Sequence, residues 1–183
     1  MRQPVKESVG LGQQMSNLLA LDQASLTSGY AIFKDGNLAD YGKFTFDDDD
    51  IAERLVKIRK KVLDLISANN INEVAFEDIQ MQNNVNNVQT FKILSEVYGV
   101  ILETLHEHKM KYTVVSSNTW KSTLGIRGRA RAEQKRNAQQ FVLDTYGVKA
   151  IQDTCDAICI GTHVLRNPGQ GTKVSVEGFD WSK

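Results

Sequence analysis

The chain has 183 residues, 41% of them hydrophobic and 24% charged, with 22 basic residues balanced by 22 acidic ones. That length and composition fit one globular domain with a substantial core. They exclude a helical membrane protein, because no apolar run approaches the roughly 20 residues that span a bilayer. Residues 1–14 are polar and lack the apolar centre of a signal peptide. They read as part of a flexible leader over 1–15, with Met15 as an alternative start, and the expected location is cytoplasmic.

Residues 17–22 form a continuously apolar run that ends in Asp22, the pattern of a strand buried on both faces. A second strand is predicted over 28–34 and a third over 38–46. The Asp35-Gly36-Asn37 segment between them is a hairpin signal, which makes the pair antiparallel. After the acidic stretch 47–50, Asp50 and Glu53 have capping-box spacing. Ile51, Leu55, Ile58, Val62, Leu65 and Ile66 then follow a helical period that Asn69-Asn70 ends. A fourth strand is expected over 73–79, containing Glu77, and a loop or frayed helix start over 81–87.

The stretch 88–108 predicts a long helix that is apolar on two sides. Val88, Phe91, Leu94, Tyr98, Ile101 and Leu105 line one side; Ile93, Val97 and Val100 line the other. Such a helix is either fully buried or shared between a core and a partner, and Gly99 would let a neighbouring backbone approach. A fifth strand over 111–115 leads to a short helix capped by Ser116 or Ser117. A basic loop over 125–132 follows, then a helix over 133–146 stopped by Gly147. The last helix starts at Gln152 or Asp153 and runs to about Leu165; Asn-Pro-Gly-Gln-Gly breaks it, leaving 167–183 as a loosely held tail. The domain proper is thus expected over 16–166. Its class is α/β, a mixed five-stranded sheet of three antiparallel and then parallel strands, with helices on both faces.

Four acids at separated positions carry the chemistry. Asp22 and Glu77 close hydrophobic strands, and Asp153 and Asp156 share one face of the last helix. An unpaired carboxylate at the end of a buried strand costs several kcal/mol, which a cation would remove. An all-oxygen set suits Mg²⁺ or Mn²⁺ rather than zinc, and two such ions can clamp an in-line phosphoryl displacement. Each acid has a plainer reading. Asp153 could be a helix N-cap, Asp156 a first-turn partner of the helix dipole, and Glu77 a lysine's partner, with Asp78 competing for its place. Cys155, Cys159 and His163 share a helix face, either as a metal stripe or as core thiols with His163 at the core's edge. Between Lys121 and Arg136, six basic residues (Lys121, Arg127, Arg129, Arg131, Lys135 and Arg136) face one acid, Glu133. This is a phosphate-binding patch or a solvated basic loop. No nucleophile elbow, no arguable Cys-His pair and no phosphate-binding glycine loop is present, so no nucleotide cofactor is expected.

Three motifs together resemble those of RuvC-type Holliday-junction resolvases. They are Leu19-Ala20-Leu21-Asp22 with Gly29 downstream, Ala75-Phe76-Glu77, and Asp153-Thr154-Cys155-Asp156-Ala157. The resemblance spans about 17–165. It implies a ribonuclease-H-like fold, Mg²⁺ or Mn²⁺ at two ions per site, and Asp22, Glu77, Asp153 and Asp156 as metal ligands and catalytic residues. It also implies a homodimer that nicks four-way DNA junctions, with Phe91, Leu94, Tyr98 and Ile101 at the interface. Lys121 and Lys135 fall where the family carries DNA-contacting lysines, and the arginines beside them would add phosphate contacts. Gln23-Ala24 replaces the family's Pro-Gly. Gln80 stands where the bacterial enzymes carry an aromatic that stacks on DNA, removing a contribution of roughly 1–3 kcal/mol. These departures resemble phage-encoded members, a lactococcal phage among the sources they suggest, which act on other branched DNAs as well. The rival readings are a ribonuclease H or exonuclease on the same fold, and a branched-DNA-binding protein without catalysis.

Overall fold

The structure is a computed structural model that describes residues 17–79, 88–169 and 172–174. Its sheet contains β1 (Leu18–Asp22), β2 (Thr27–Lys34), β3 (Asn37–Thr45), β4 (Glu73–Glu77), β5 (Lys111–Val115) and β6 (Thr172–Val174). The spatial order is β3-β2-β1-β4-β5-β6. β1 pairs antiparallel with β2 and parallel with β4; β4 and β5 are also parallel. The helices are α1 (Ile51–Asn69), α2 (Val88–Glu107), α3 (Ser117–Thr123), α4 (Arg131–Tyr146) and α5 (Gln152–Arg166).

β1 explains its own composition. Leu18 and Ala20 belong to a core shared with residues of α3, α4 and α5, whereas Leu19 and Leu21 belong to a second core with residues of α1 and α2. Alternate side chains enter opposite layers, so a strand covered on both faces has no polar position until its end. The hairpin forms as predicted: Asp35 and Gly36 have φ of 52° and 76°, which two-residue turns between twisted strands demand. The Asp50 side chain accepts from the Ala52 N–H at 2.8 Å to cap α1, and Asn70, with φ of 51°, ends it.

Three expectations change. β4 stops at Glu77 rather than Ile79, because the Asp78 N–H makes the last bond to β5 at the Val115 carbonyl (2.9 Å). α4 begins at Arg131, two residues early, with Glu133 accepting from the Arg129 N–H (2.8 Å) instead of opening the helix. α5 begins at Gln152, one of its two expected starts, with Ile151 at the N-cap, so Asp153 lies inside the first turn and the N-cap alternative for it falls away. β6 falls within the stretch predicted as a loose tail and adds an antiparallel sixth strand beside β5. The leader, residues 80–87 and most of the tail lie outside the described residues, Gln80 among them.

Candidate active site

A cavity of about 660 Å³ opens at the carboxyl ends of β1 and β4, where a mixed α/β sheet collects ligands. Asp22, Glu77, Asp153 and Asp156 all line it, joined by Asp78. The four predicted acids therefore meet, although 131 positions separate Asp22 from Asp153. Burial pushes the Asp22 carboxyl well above its usual range, and the charges of Asp156, Glu77 and Asp153 add to the effect. Burial also raises Glu77 and Asp156; Lys121 opposes the shift in all three. Among the described residues no three His, Cys, Asp or Glu side chains close on a single point as a finished metal cage. The acids instead surround a space. An uncompensated, all-oxygen anionic cluster around an open cavity fits a hard cation that completes its shell with water and phosphate oxygens.

Close packing puts α5 at the site. A Cβ on Gly29, the ladder partner of Asp22, would lie 2.0 Å from the Asp153 carbonyl oxygen. At Gly161 the clash would be with the Phe33 ring at 2.2 Å. The Thr154 hydroxyl donates to the Gly42 carbonyl at 3.0 Å and ties the helix to β3. The first turn of α5 therefore sits directly over the end of β2, one strand from Asp22.

The Cys155, Cys159 and His163 face is core, as the plainer reading had it for the thiols. All three are buried, and His163 lies in the interior rather than at its edge, with Nδ1 2.6 Å from the Thr123 hydroxyl. Burial pushes the Cys155 thiol up to about 11 and Cys159 higher still, so neither offers a thiolate.

Two neighbours of Glu77 escaped the sequence reading. The Trp120 indole N–H donates to Glu77 Oε2 at 2.8 Å, and the Gln23 side chain bonds the Glu77 backbone twice. Trp120 had a usable signal: a lone large aromatic in a short polar helix has to be buried, and its N–H then needs an acceptor.

The basic residues separate into two groups. Lys121, Arg131 and Lys135 line the cavity together with the acids. Lys121 donates to the Ser117 hydroxyl at 2.6 Å and lies 5.0 Å from the Trp120 ring centroid. Arg127, Arg129 and Arg136 are exposed and lie outside the cavity lining. Two roles follow. If Lys121 acts on the reacting phosphate, Lys121→Ala is expected to lower strand nicking at saturating DNA by about 10–100-fold. Arg136→Ala should leave that rate intact and reduce the salt slope of DNA binding by about one. Single-turnover cleavage and a salt titration of binding check both.

On α2 the structure corrects one interface residue. Ile101 is 1% exposed and belongs, with Val97 and Leu105, to the core under the sheet. The chain's own packing uses its surface, leaving none for a second protomer. Tyr98 packs partly on the same core, its ring 5.3 Å from that of Phe76. Phe91 and Leu94 stay partly exposed, and Leu94 lines the cavity.

An acidic cavity at the carboxyl ends of neighbouring parallel strands, in a sheet of order 3-2-1-4-5, defines a ribonuclease-H-like fold with a nuclease type of site. The family model "Crossover junction endodeoxyribonuclease RuvC" matches residues 18–163. The chain belongs to that family of hydrolases, whose nucleases are metal-dependent. Among solved structures, Thermus thermophilus RuvC in complex with a Holliday junction substrate superposes with a TM-score of 0.67 at 15% identity, covering 87% of this chain and 99% of that one. The fowlpox virus resolvase, in complex with its substrate Holliday junction DNA, gives 0.54 at 15% identity, covering 82% and 97%. The yeast mitochondrial Holliday junction resolvase gives 0.51 at 10% identity, covering 83% and 78%. At these identities the structures establish the shared fold. No curated protein matches the sequence. Among the described residues no helix is long and apolar enough to cross a membrane.

Proposed function

We propose that the chain resolves four-way DNA junctions, and nicks other branched DNA, as a homodimer using two Mg²⁺ or Mn²⁺ ions per site. One observation carries this reading: four acids from three separate elements line a single cavity that Lys121, Arg131 and Lys135 also line. Asp22 and Glu77 from the sheet and Asp153 and Asp156 from α5 would hold the ions. Bound ions supply polarisation of phosphate and water for in-line displacement, leaving 5′-phosphate and 3′-hydroxyl ends. The chain's part is positional. The lysines and Arg131 bind the phosphate backbone, and the sheet keeps Asp22 and Glu77 in register. Gly29 lets α5 bring its two acids over them.

The dimer reading now rests on the other side of α2. Ile93 and Val100 are partly exposed there, and a Cβ at the exposed Gly99 would meet nothing within 4 Å. Gln23-Ala24 and Gln80 support a phage-encoded source. The deciding experiment compares Mg²⁺-dependent cleavage of a synthetic four-way junction, a fork and an RNA–DNA hybrid, alongside sedimentation of the free protein. Paired nicks in the junction by a dimeric species are expected. Preferential digestion of the hybrid would assign a ribonuclease H instead, and a strict monomer would remove the paired-nick reading.

A further inference from the structure

The parallel ladder between β1 and β4 runs from Leu18↔Glu73 to Leu21↔Phe76. It ends one residue before Asp22 and Glu77, the two strand-borne acids. Two neighbouring carboxylates of like charge repel. Strand ends that carry like charges and share no hydrogen bond have reason to splay apart.

A side chain occupies the place of the missing ladder. Gln23 is only 8% exposed and turns its carboxamide onto the Glu77 backbone. Its Nε2 donates to the Glu77 carbonyl at 2.5 Å, and its Oε1 accepts from the Glu77 N–H at 3.1 Å. A primary amide bonding both groups of one residue reproduces what the next residue of a strand would supply. Glu77 also pairs with Val115 of β5. On the side chain, the buried Trp120 donates its indole N–H to Oε2 at 2.8 Å. Indole nitrogen only donates, so this contact fixes one carboxylate oxygen, and the Ser117 hydroxyl is a second hydrogen-bond partner of the carboxylate.

We infer that Gln23 and Trp120 are positioning residues, a two-part clamp that holds Glu77 at a fixed distance and orientation from Asp22. This inference rests on the metal-site reading proposed above. It gives Gln23, which departs from the Pro-Gly of the family, a structural duty at the point of departure. Proline has neither the amide nor the reach to bond both groups of Glu77. Hydrogen-bond partners behind metal ligands typically change metal affinity or activity by about 10–100-fold when lost.

The test uses the full chain and Mn²⁺ alone as the probe. Gln23→Met and Trp120→Phe preserve bulk and remove the hydrogen bonds; Gln23→Asn keeps the amide on a stem too short to make both bonds, which guards against misfolding of the methionine variant. Calorimetric titration without DNA is expected to show Mn²⁺ binding weakened by about 10–100-fold in the variants. Junction binding in the absence of cation should be unchanged. Nicking should fall at limiting Mn²⁺ and recover at high Mn²⁺, a rescue that loss of fold would not give. Unchanged Mn²⁺ affinity in the folded variants, with Asp22→Asn still losing it, would overturn the clamp and leave the metal site standing. Wild-type Mn²⁺ affinity in Asp22→Asn would overturn the site itself, and the clamp with it.

Discussion

An Asp22→Asn variant is expected to nick a four-way junction at least about 1,000-fold more slowly than wild type, and to melt at a higher temperature when no cation is present. Both effects have one origin. Asp22 ends a strand covered on both faces, and burial together with three neighbouring acids raises its pKa in the native state. The native protein therefore binds protons more tightly there than the unfolded chain does. Stability from this group is greatest below the unfolded-state value, and it declines as pH rises through the raised native value. Glu77 and Asp156 shift in the same direction. The cation-free protein should consequently lose stability as pH rises from the ordinary carboxylate range through the raised native values of these groups. Asparagine removes the largest part of that loss, and a gain of about 1 kcal/mol would raise the melting point by roughly 2–4 °C at this length. In wild type, cation at 100 times its dissociation constant would add about 2.7 kcal/mol at neutral pH. Thermal melts across pH, with and without Mg²⁺, measure both arms. A destabilised Asp22→Asn protein with normal nicking would contradict the metal-site reading.

Gly29→Ala is expected to be more damaging than its size suggests, costing about 3 kcal/mol or more and abolishing cleavage. The added methyl would sit 2.0 Å from the Asp153 carbonyl oxygen and 2.7 Å from the Thr154 nitrogen, both backbone atoms that cannot swing aside. α5 would have to lift from the sheet, carrying Asp153 and Asp156 with it. A neighbouring substitution on the same strand supplies the control: Thr27→Ala removes only an exposed hydroxyl pair with Thr45 and should stay within about 0.5 kcal/mol of wild type. Urea denaturation distinguishes the two. Native-like stability of Gly29→Ala would mean that the first turn of α5 is not held where it is seen.

What could be read from sequence was whatever a single element states about itself. β1 and β4 announced themselves because a strand with two covered faces is apolar at every position, so the first polar residue marks its end and its acid together. The Asp35-Gly36 turn and the Asp50 cap were legible because each is made of neighbours in the chain. The convergence of Asp22, Glu77, Asp153 and Asp156 was legible only as a pattern of motifs. What stayed hidden depends on residues distant in sequence. Gln23 looks like any polar residue leaving a strand, yet its partner lies 54 positions on. Gly29 looks like a strand glycine, yet it is the floor on which α5 rests. Ile101 lies on the same stripe as Phe91 and Leu94, and only the packing of that stripe into the core under the sheet decided for the interior. Arg131 reads as loop but begins a helix, which aims it at the cavity while Arg127 and Arg129 stay outside.

The loop between α3 and α4 is fastened at several points. Ile126 is buried, Asn137 donates to the Arg127 carbonyl and Gln134 to the Gly128 carbonyl, and Glu133 accepts from the Arg129 N–H. A basic loop so anchored has already given up most of its backbone freedom before any DNA arrives. In the proposed complex its arginines would act as a stiff template of fixed charge spacing, and the adjustment on association would fall to the nucleic acid. Substrates that bend or open cheaply, such as branch points and flexible pyrimidine–purine steps, would then be preferred without any base being read. Selectivity of that kind resides in the mechanics of the DNA, and it needs no aromatic at position 80.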